Sequence, residues 1–289
     1  MINSHTIKLY VSLIKPGIVI ANTLTAVAGY LFVSGLRIDF TSFIGIISGT
    51  VFLIASACVF NNILDISIDS LMNRTLNRPL PSGQISKKFA IYFMVVLFII
   101  ACLILILLTN TLTLLIGIIA YICYVFVYGY FKRHSIYGTL VGTVPGSASI
   151  VAGGVSYTDH LSQVMIVLGL IMVVWQMAHF YAIAIYRLKD YTKAKLPVWP
   201  VVKGIKSTYY QIVVFIFLFL VFNIYLVLIA KVDYVYLVVM FLISIWWLLT
   251  TIKTKTKLSQ PQWSHLVFIN SLKVNLVFII FVSLYRIIY

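Results

Sequence analysis

Residues 88–108 read KFAIYFMVVLFIIACLILILL, one lysine followed by 20 residues without a charge. As a helix such a run is about 30 Å long, the thickness of a bilayer's hydrocarbon core. A membrane-barrel strand would alternate apolar and polar residues, and nothing in this stretch alternates. Outward in both directions the pattern repeats, with comparable runs at 14–34, 42–63, 112–131, 139–157, 163–185, 208–230, 234–252 and 265–288, nine in all. Composition agrees with the runs: the 289 residues are 62% hydrophobic and 9% charged, where a soluble domain carries about 25% charged residues. In lipid every backbone polar group must be satisfied within the chain. The prediction is therefore an all-α, polytopic membrane helix bundle of about nine spans, forming one domain over residues 1–289. No cleavable signal precedes the first span, because Lys15-Pro16-Gly17 reads as a helix start and not as a processing site.

Lysine and arginine set the expected orientation. With the N-terminus in the cytoplasm, 17 of them fall on the inner side and three, Arg37, Lys231 and Arg286, on the outer side, while Lys273 lies inside the last span. The chain is thus expected in a cell inner (cytoplasmic) membrane, N-terminus inward. The net charge of +15 is an insertion signal with some attraction to anionic lipid, and it calls for no nucleic acid. Cys58, Cys102 and Cys123 all sit in apolar runs, an odd set with neither disulfide nor zinc spacing, and read as small core residues.

Chemistry concentrates in the acidic residues. The chain has no glutamate and six aspartates. Asp39, Asp159 and Asp233 fall in short outer loops and read as solvated turn residues. Asp65 and Asp69 follow Asn61 in Asn61-Asn62-Ile63-Leu64-Asp65-Ile66-Ser67-Ile68-Asp69. Positions i, i+4 and i+8 share one helix face, here a row about 12 Å long. Like charges so spaced repel, and ionisable groups at membrane depth are costly and usually functional. A hard divalent cation answers both problems, since Mg²⁺ takes a couple of carboxylates and fills its other positions with water and phosphate. Arg74 and Arg78 follow, again i and i+4, and arginine's fork matches phosphate oxygens in pairs. Alternatively, the arginines simply neutralise the aspartates.

The Asn61-x3-Asp65-x3-Asp69 row at the end of the second span resembles the first aspartate-rich motif of the UbiA superfamily of intramembrane prenyltransferases. The continuation Asp69-x2-Met72-x-Arg74-Thr75-x2-Arg78-Pro79-Leu80-x2-Gly83 is similar to one branch, the protoheme IX farnesyltransferases or heme O synthases. Lys132-Arg133-His134-Ser135-Ile136-Tyr137-Gly138-Thr139 and the segment from Trp175-Gln176-Met177-Ala178-His179 through Arg187-Leu188-Lys189-Asp190 to Lys203-Gly204 resemble further segments of that branch. The resemblance runs from about Lys15 to Gly204, and the nine-span plan extends it to the end. It implies transfer of a farnesyl group from farnesyl diphosphate to a vinyl group of protoheme, with addition of water, to give heme O and diphosphate. It also implies Mg²⁺ (or Mn²⁺) on Asn61, Asp65 and Asp69, and a downstream heme-modifying enzyme or heme–copper oxidase assembly as recipient. Arg74, Arg78, Lys132, Arg133, Arg187, Lys189 and Lys15 are the expected diphosphate contacts.

The second polar motif departs from most of the superfamily, which carries several aspartates there and holds a second metal; this chain keeps Asp190. His179, Tyr186 and Asp190, at i, i+7 and i+11, share a face if the helix continues. The expectation is that His179 faces the heme as iron ligand or hydrogen-bond partner, that Tyr186 lies on the same acceptor side, and that Asp190 completes the metal site. The branch usually has proline before this histidine, where this chain has Ala178, and a diproline is missing near Ser149-Ile150. Asn22, i+7 from Lys15, is a further acceptor-side candidate. Gly138, Gly142, Gly146 and Gly154 recur at multiples of four and read as a helix-packing row. His134 is assigned to the basic loop, and His5, His160 and His265 to the interface. Other readings are a sister prenyltransferase with an aromatic acceptor, a transporter, or a non-catalytic oxidase assembly factor. A transporter site would lie near the bilayer midplane on broken helices, whereas here the polar residues cluster at the inner ends.

Overall fold

The long apolar runs fold into nine helices able to cross a membrane among the residues, 4–288, that this computed structural model describes. In chain order they and their short companions are α1 (Ser4–Leu13), α2 (Pro16–Ser34), α3 (Phe40–Leu64), α4 (Ile66–Asp69), α5 (Lys87–Leu108) and α6 (Thr111–Ile122). The chain continues from α6 through a π-helical stretch, Cys123–Tyr128, into α7 (Gly129–His134). There follow α8 (Gly138–Thr158), α9 (Gln163–Tyr186), α10 (Leu188–Lys193), α11 (Trp199–Val202), α12 (Gly204–Ala230), α13 (Tyr234–Thr254) and α14 (Gln260–Ile288). No strand occurs among the described residues. The side chains of His5 and Arg286, placed above from sequence, lie outside the description.

The spans begin and end close to the edges of the apolar runs, and capping explains the edges. Asp39, expected as a solvated turn residue, is exposed and also caps α3, its carboxylate accepting from the Thr41 and Ser42 amides at 3.3 and 3.0 Å. Hydrogen bonds from Ser42 above all hold that carboxyl below its ordinary value. Asp233 caps α13 through the Val235 amide at 2.6 Å, and Ser86, Asn110 and Ser162 cap α5, α6 and α9. Side-chain oxygens satisfy amides that have no partner within the helix, and a carboxylate also suits the positive end of the helix dipole. α12 and α14 start earlier than their apolar runs, because the polar first turns 204–207 and 260–264 are helical too. α1, too short to span, was not predicted; it is tied down by buried Leu13 and by Tyr10, whose ring meets Phe93 edge-on at 5.0 Å.

α9 is the most enclosed span, packed against α8, α12 and α14. α2 lies against α8, α3 and α14. The α2–α8 contact is made at backbone range: a Cβ on Gly29 would fall 1.9 Å from the Ile150 carbonyl oxygen, and one on Gly153 1.9 Å from that of Ala26. The glycine row seen in the sequence packs as expected, but against other elements. Gly138 meets the backbone of Lys132, Gly142 the Tyr128 ring, Gly146 the Gln176 amide and Gly154 the Met165 side chain.

Gly153→Ala should therefore force two backbones apart and cost about 1–3 kcal/mol, the usual range for overpacking. Its thermal midpoint in detergent should fall clearly below wild type, whereas Gly129→Ala, whose Cβ meets nothing within 4 Å, should hold or raise it.

Candidate active site

α3 ends at Leu64 and α4 starts at Ile66, with Asp65 between them at φ −89°, ψ 6°. The break does not disturb the row, because the Asp65 amide still reaches the Asn61 carbonyl (2.9 Å) and the Asp69 amide the Asp65 carbonyl (2.8 Å). Asn61, Asp65 and Asp69 are 4%, 3% and 2% exposed. Two buried carboxylates need compensating charge. Asp65 accepts from Lys132 Nζ at 2.6 Å and from Arg133 at 3.2 Å, and Asp69 from Arg78 at 2.7 Å. Arg133 also donates to the Leu64 carbonyl at 2.6 Å. The neutralising role that the sequence left open for Arg78 is thus realised, and it is shared with the Lys132-Arg133 pair on α7.

Lys15 donates to Asn61 Oδ1 at 3.0 Å from a left-handed backbone (φ 53°, ψ 69°) immediately before Pro16 at the start of α2. Desolvation, with Arg78 and Lys132 near, pulls its ammonium down to about 8 against the opposite pull of Cys58 and Asp65. Asn61 Nδ2 has no hydrogen-bond partner among the described residues. The 70–86 loop is held over the row by Thr75, fully buried, whose hydroxyl donates to the Asp69 carbonyl at 2.7 Å, and it turns at Gly83, whose φ of +75° suits glycine. Arg74 lies exposed on this loop and forms no ion pair among the described residues. Five cationic side chains thus surround two carboxylates, an excess that favours a polyanion. The oxygen donors of Asn61, Asp65 and Asp69, all hard and in one buried row, fit a divalent cation that shares its shell with phosphate. No cluster of three His, Cys, Asp or Glu occurs among the described residues, so a zinc-type site has no basis there.

Below this mouth opens a cavity of about 650 Å³. Lys15, Asn61, Asp65, Asp69, Arg74, Arg78 and Lys132 line its polar end, while Ile46, Leu53, Leu105, Thr113 and Gly117 lie at the other. From Asp65 to Ile46 is 19 residues along α3, about 28 Å at helical rise, so the cavity reaches through most of a hydrocarbon core. Tyr124 and Tyr128 form one wall, stacked at 5.6 Å and 17°, with Lys132 over the Tyr128 ring at 5.9 Å. Both tyrosines come from the π-helical stretch, a local widening of the helix common at functional sites. Sequence reading passed them over, although Tyr124, Tyr128 and Lys132 repeat the i, i+4, i+8 spacing of the aspartate row.

On α9, buried His179 lines the cavity with Trp175 stacked on it at 4.9 Å and 23°. Asn22 lines it from α2, its side chain bonded to the Ile18 carbonyl and accepting from Ser149 at 3.3 Å. The expected common face of His179, Tyr186 and Asp190 does not form. α9 stops at Tyr186, and Arg187, at φ −103°, ψ 22°, turns the chain before α10 begins. Tyr186 is directed to His265 (5.0 Å) with Arg187 over its ring (4.7 Å). Tyr186, Arg187, Lys189 and Asp190 are absent from the cavity lining, and Tyr191 takes their place there. Arg133 reaches the site through Asp65 without lining the cavity.

The chain has relatives among known proteins. The UbiA prenyltransferase family model matches residues 22–272. A protoheme IX farnesyltransferase of Yersinia pseudotuberculosis serotype O:1b (strain IP 31758) is 39% identical over 267 residues, 92% of this chain and 90% of that one. One from Protochlamydia amoebophila (strain UWE25) is 38% identical over 262 residues, 91% and 93% of the two chains. Among solved structures, one described for digeranylgeranylglyceryl phosphate synthase superposes with a TM-score of 0.79 at 18% identity over 98% of this chain and 99% of that one. A UbiA homolog from Archaeoglobus fulgidus bound to GPP and Mg²⁺ gives 0.73 at 14% identity, over 97% and 100%. Those two likenesses speak for the fold, and the extent of the sequence match decides the kinship: the chain belongs to the UbiA prenyltransferase family.

Proposed function

We propose that this membrane protein transfers the farnesyl group of farnesyl diphosphate to a vinyl group of protoheme, with addition of water, giving heme O and diphosphate. The observation that carries the chemistry is the buried Asn61–Asp65–Asp69 row, ringed by cations, at the mouth of an apolar cavity. The acceptor is taken from the names of the relatives and from His179 on the cavity wall.

Asn61 and the carboxylates of Asp65 and Asp69 would hold a divalent cation, Mg²⁺ or Mn²⁺, which would supply Lewis-acid stabilisation of the departing diphosphate. Lys132, Arg133 and Arg78, which hold the carboxylates, turn their donors to phosphate oxygens, joined by Lys15 and Arg74. The bond between the farnesyl C1 and the diphosphate oxygen breaks with its electron pair leaving on the diphosphate. The apolar walls exclude water from the allylic cation, and the faces of Tyr124 and Tyr128 screen it. The terminal vinyl carbon supplies the pair for the new carbon–carbon bond. Water then adds at the carbon next to the macrocycle and a proton departs. His179 faces the heme from α9. The mouth opens to the cytoplasm of a bacterial inner membrane, on the side rich in lysine and arginine, and the product passes to a downstream heme-modifying enzyme or heme–copper oxidase assembly.

Purified protein in nanodiscs, given protoheme, farnesyl diphosphate and Mg²⁺, should yield heme whose mass has risen by farnesyl plus water. Farnesyl diphosphate consumed only with a phenolic acceptor would assign the chain to a sister activity. Asp69→Asn should lower kcat by about 100-fold or more, as expected when transition-state charge loses its support. Asp190→Asn should stay within a few-fold, and a loss equal to that of Asp69→Asn would return Asp190 to the metal site. In intact cells a cysteine at Ser82 should resist a membrane-impermeant maleimide, whereas one at Asp159 should react, and the reverse pattern would invert the topology.

A further inference from the structure

Asn275, Ser271 and Phe268 place α14 beside the acceptor side of the cavity, and Ser271 makes three contacts there that no role described so far uses. Its hydroxyl oxygen lies 2.6 Å from the Phe268 carbonyl and 2.7 Å from His179 Nδ1. Its own carbonyl accepts from Trp175 Nε1 at 2.8 Å. A serine hydroxyl carries one proton. Two oxygens at 2.6 Å need a proton between them, the Phe268 carbonyl has none to give, and so the Ser271 proton lies there. The hydroxyl can then only accept from the ring, which puts the imidazole proton on Nδ1. Neutral imidazole carries one N–H and one lone pair, so Nε2 is bare. Nε2 makes no hydrogen bond among the described residues, and the ring lines the cavity.

We infer that Ser271 is a positioning residue that fixes the Nδ1–H form of His179 and so presents Nε2 as an axial ligand to the heme iron. The inference rests on the proposed function and decides what that reading left open, since a ring protonated on Nδ1 offers the heme a lone pair and no hydrogen. A partner on the far nitrogen is how metal-binding histidines are generally oriented and made more basic. Here one residue performs both tasks: its hydroxyl sets the tautomer, and its carbonyl anchors the Trp175 ring stacked on His179. Phe268 packs against the ring at 5.1 Å, tilted by 41°. The imidazole is thereby held in place on the cavity wall, with Nε2 as its free lone pair.

The test is heme titration of the full-length protein in nanodiscs, read by absorption and by the iron–histidine stretch in the resonance Raman spectrum of the ferrous form. Farnesyl diphosphate binding serves as the check on folding. Ser271→Ala should weaken heme binding 10- to 100-fold, the usual effect of removing such a partner, and shift or abolish the stretch while farnesyl diphosphate binding holds. Ser271→Thr, which keeps the hydroxyl, should restore both. A Ser271→Ala protein with wild-type affinity and stretch would overturn the inference. His179→Ala separates this from failure of the underlying reading. Loss of the stretch in His179→Ala but not in Ser271→Ala removes only the role of Ser271. An unaltered spectrum in His179→Ala removes His179 from the heme altogether.

Discussion

Two carboxylates buried at the end of a membrane helix have to be neutralised from somewhere, and the elements around them are placed where their cations can do so. Asp65 draws Lys132 and Arg133 from the end of α7, and with them the close of the fourth span. Asp69 draws Arg78 and folds the 70–86 loop back over the row. Lys15 completes the ring from the start of α2 by way of Asn61. Segments far apart in sequence thus meet at one point. Loss of Arg78, the one ion-pair partner of Asp69 among the described residues, would strand a buried charge, and an unpaired buried ion costs several kcal/mol.

Most of the architecture could be read in advance because lipid makes a simple demand: a run of about 20 apolar residues has little choice but to be a helix. The aspartate row was legible for the same reason, since helical spacing is nearly rigid over two turns and the ladder persists through the small break at Asp65. Reading failed where that rigidity ends. The face proposed for His179, Tyr186 and Asp190 assumed eleven residues of unbroken helix, and the chain turns at Arg187. Tyr124 and Tyr128 were overlooked because no composition marks a π-helical stretch. Ser271 lies 92 residues from His179, and a one-sequence reading has no means of pairing them. The capping bonds of Asp39 and Asp233 escape the sequence because they depend on where the helix begins, the least certain feature of any run.

Close helix contact and open cavity are two sides of one design. Gly29 and Gly153 bring α2 and α8 to backbone distance, while Gly142 and Gly146, on the same helix α8, help line the cavity. Small residues serve both ends, giving contact where two helices meet and room where they part. The cavity thereby runs between packed helices.

On the proposed function, the ion pairs at the mouth also couple the binding of the two ligands. A carboxylate held by Lys132 or Arg78 is only half available to a metal, and those same cations are only half available to a phosphate. Whichever ligand arrives first frees the groups the other requires. In the proposed reaction metal and diphosphate are then mutual effectors, and linkage makes the gain reciprocal: each raises the other's affinity by the same factor. A site built this way rests as its own counterion and favours the complex of metal and diphosphate over either one alone.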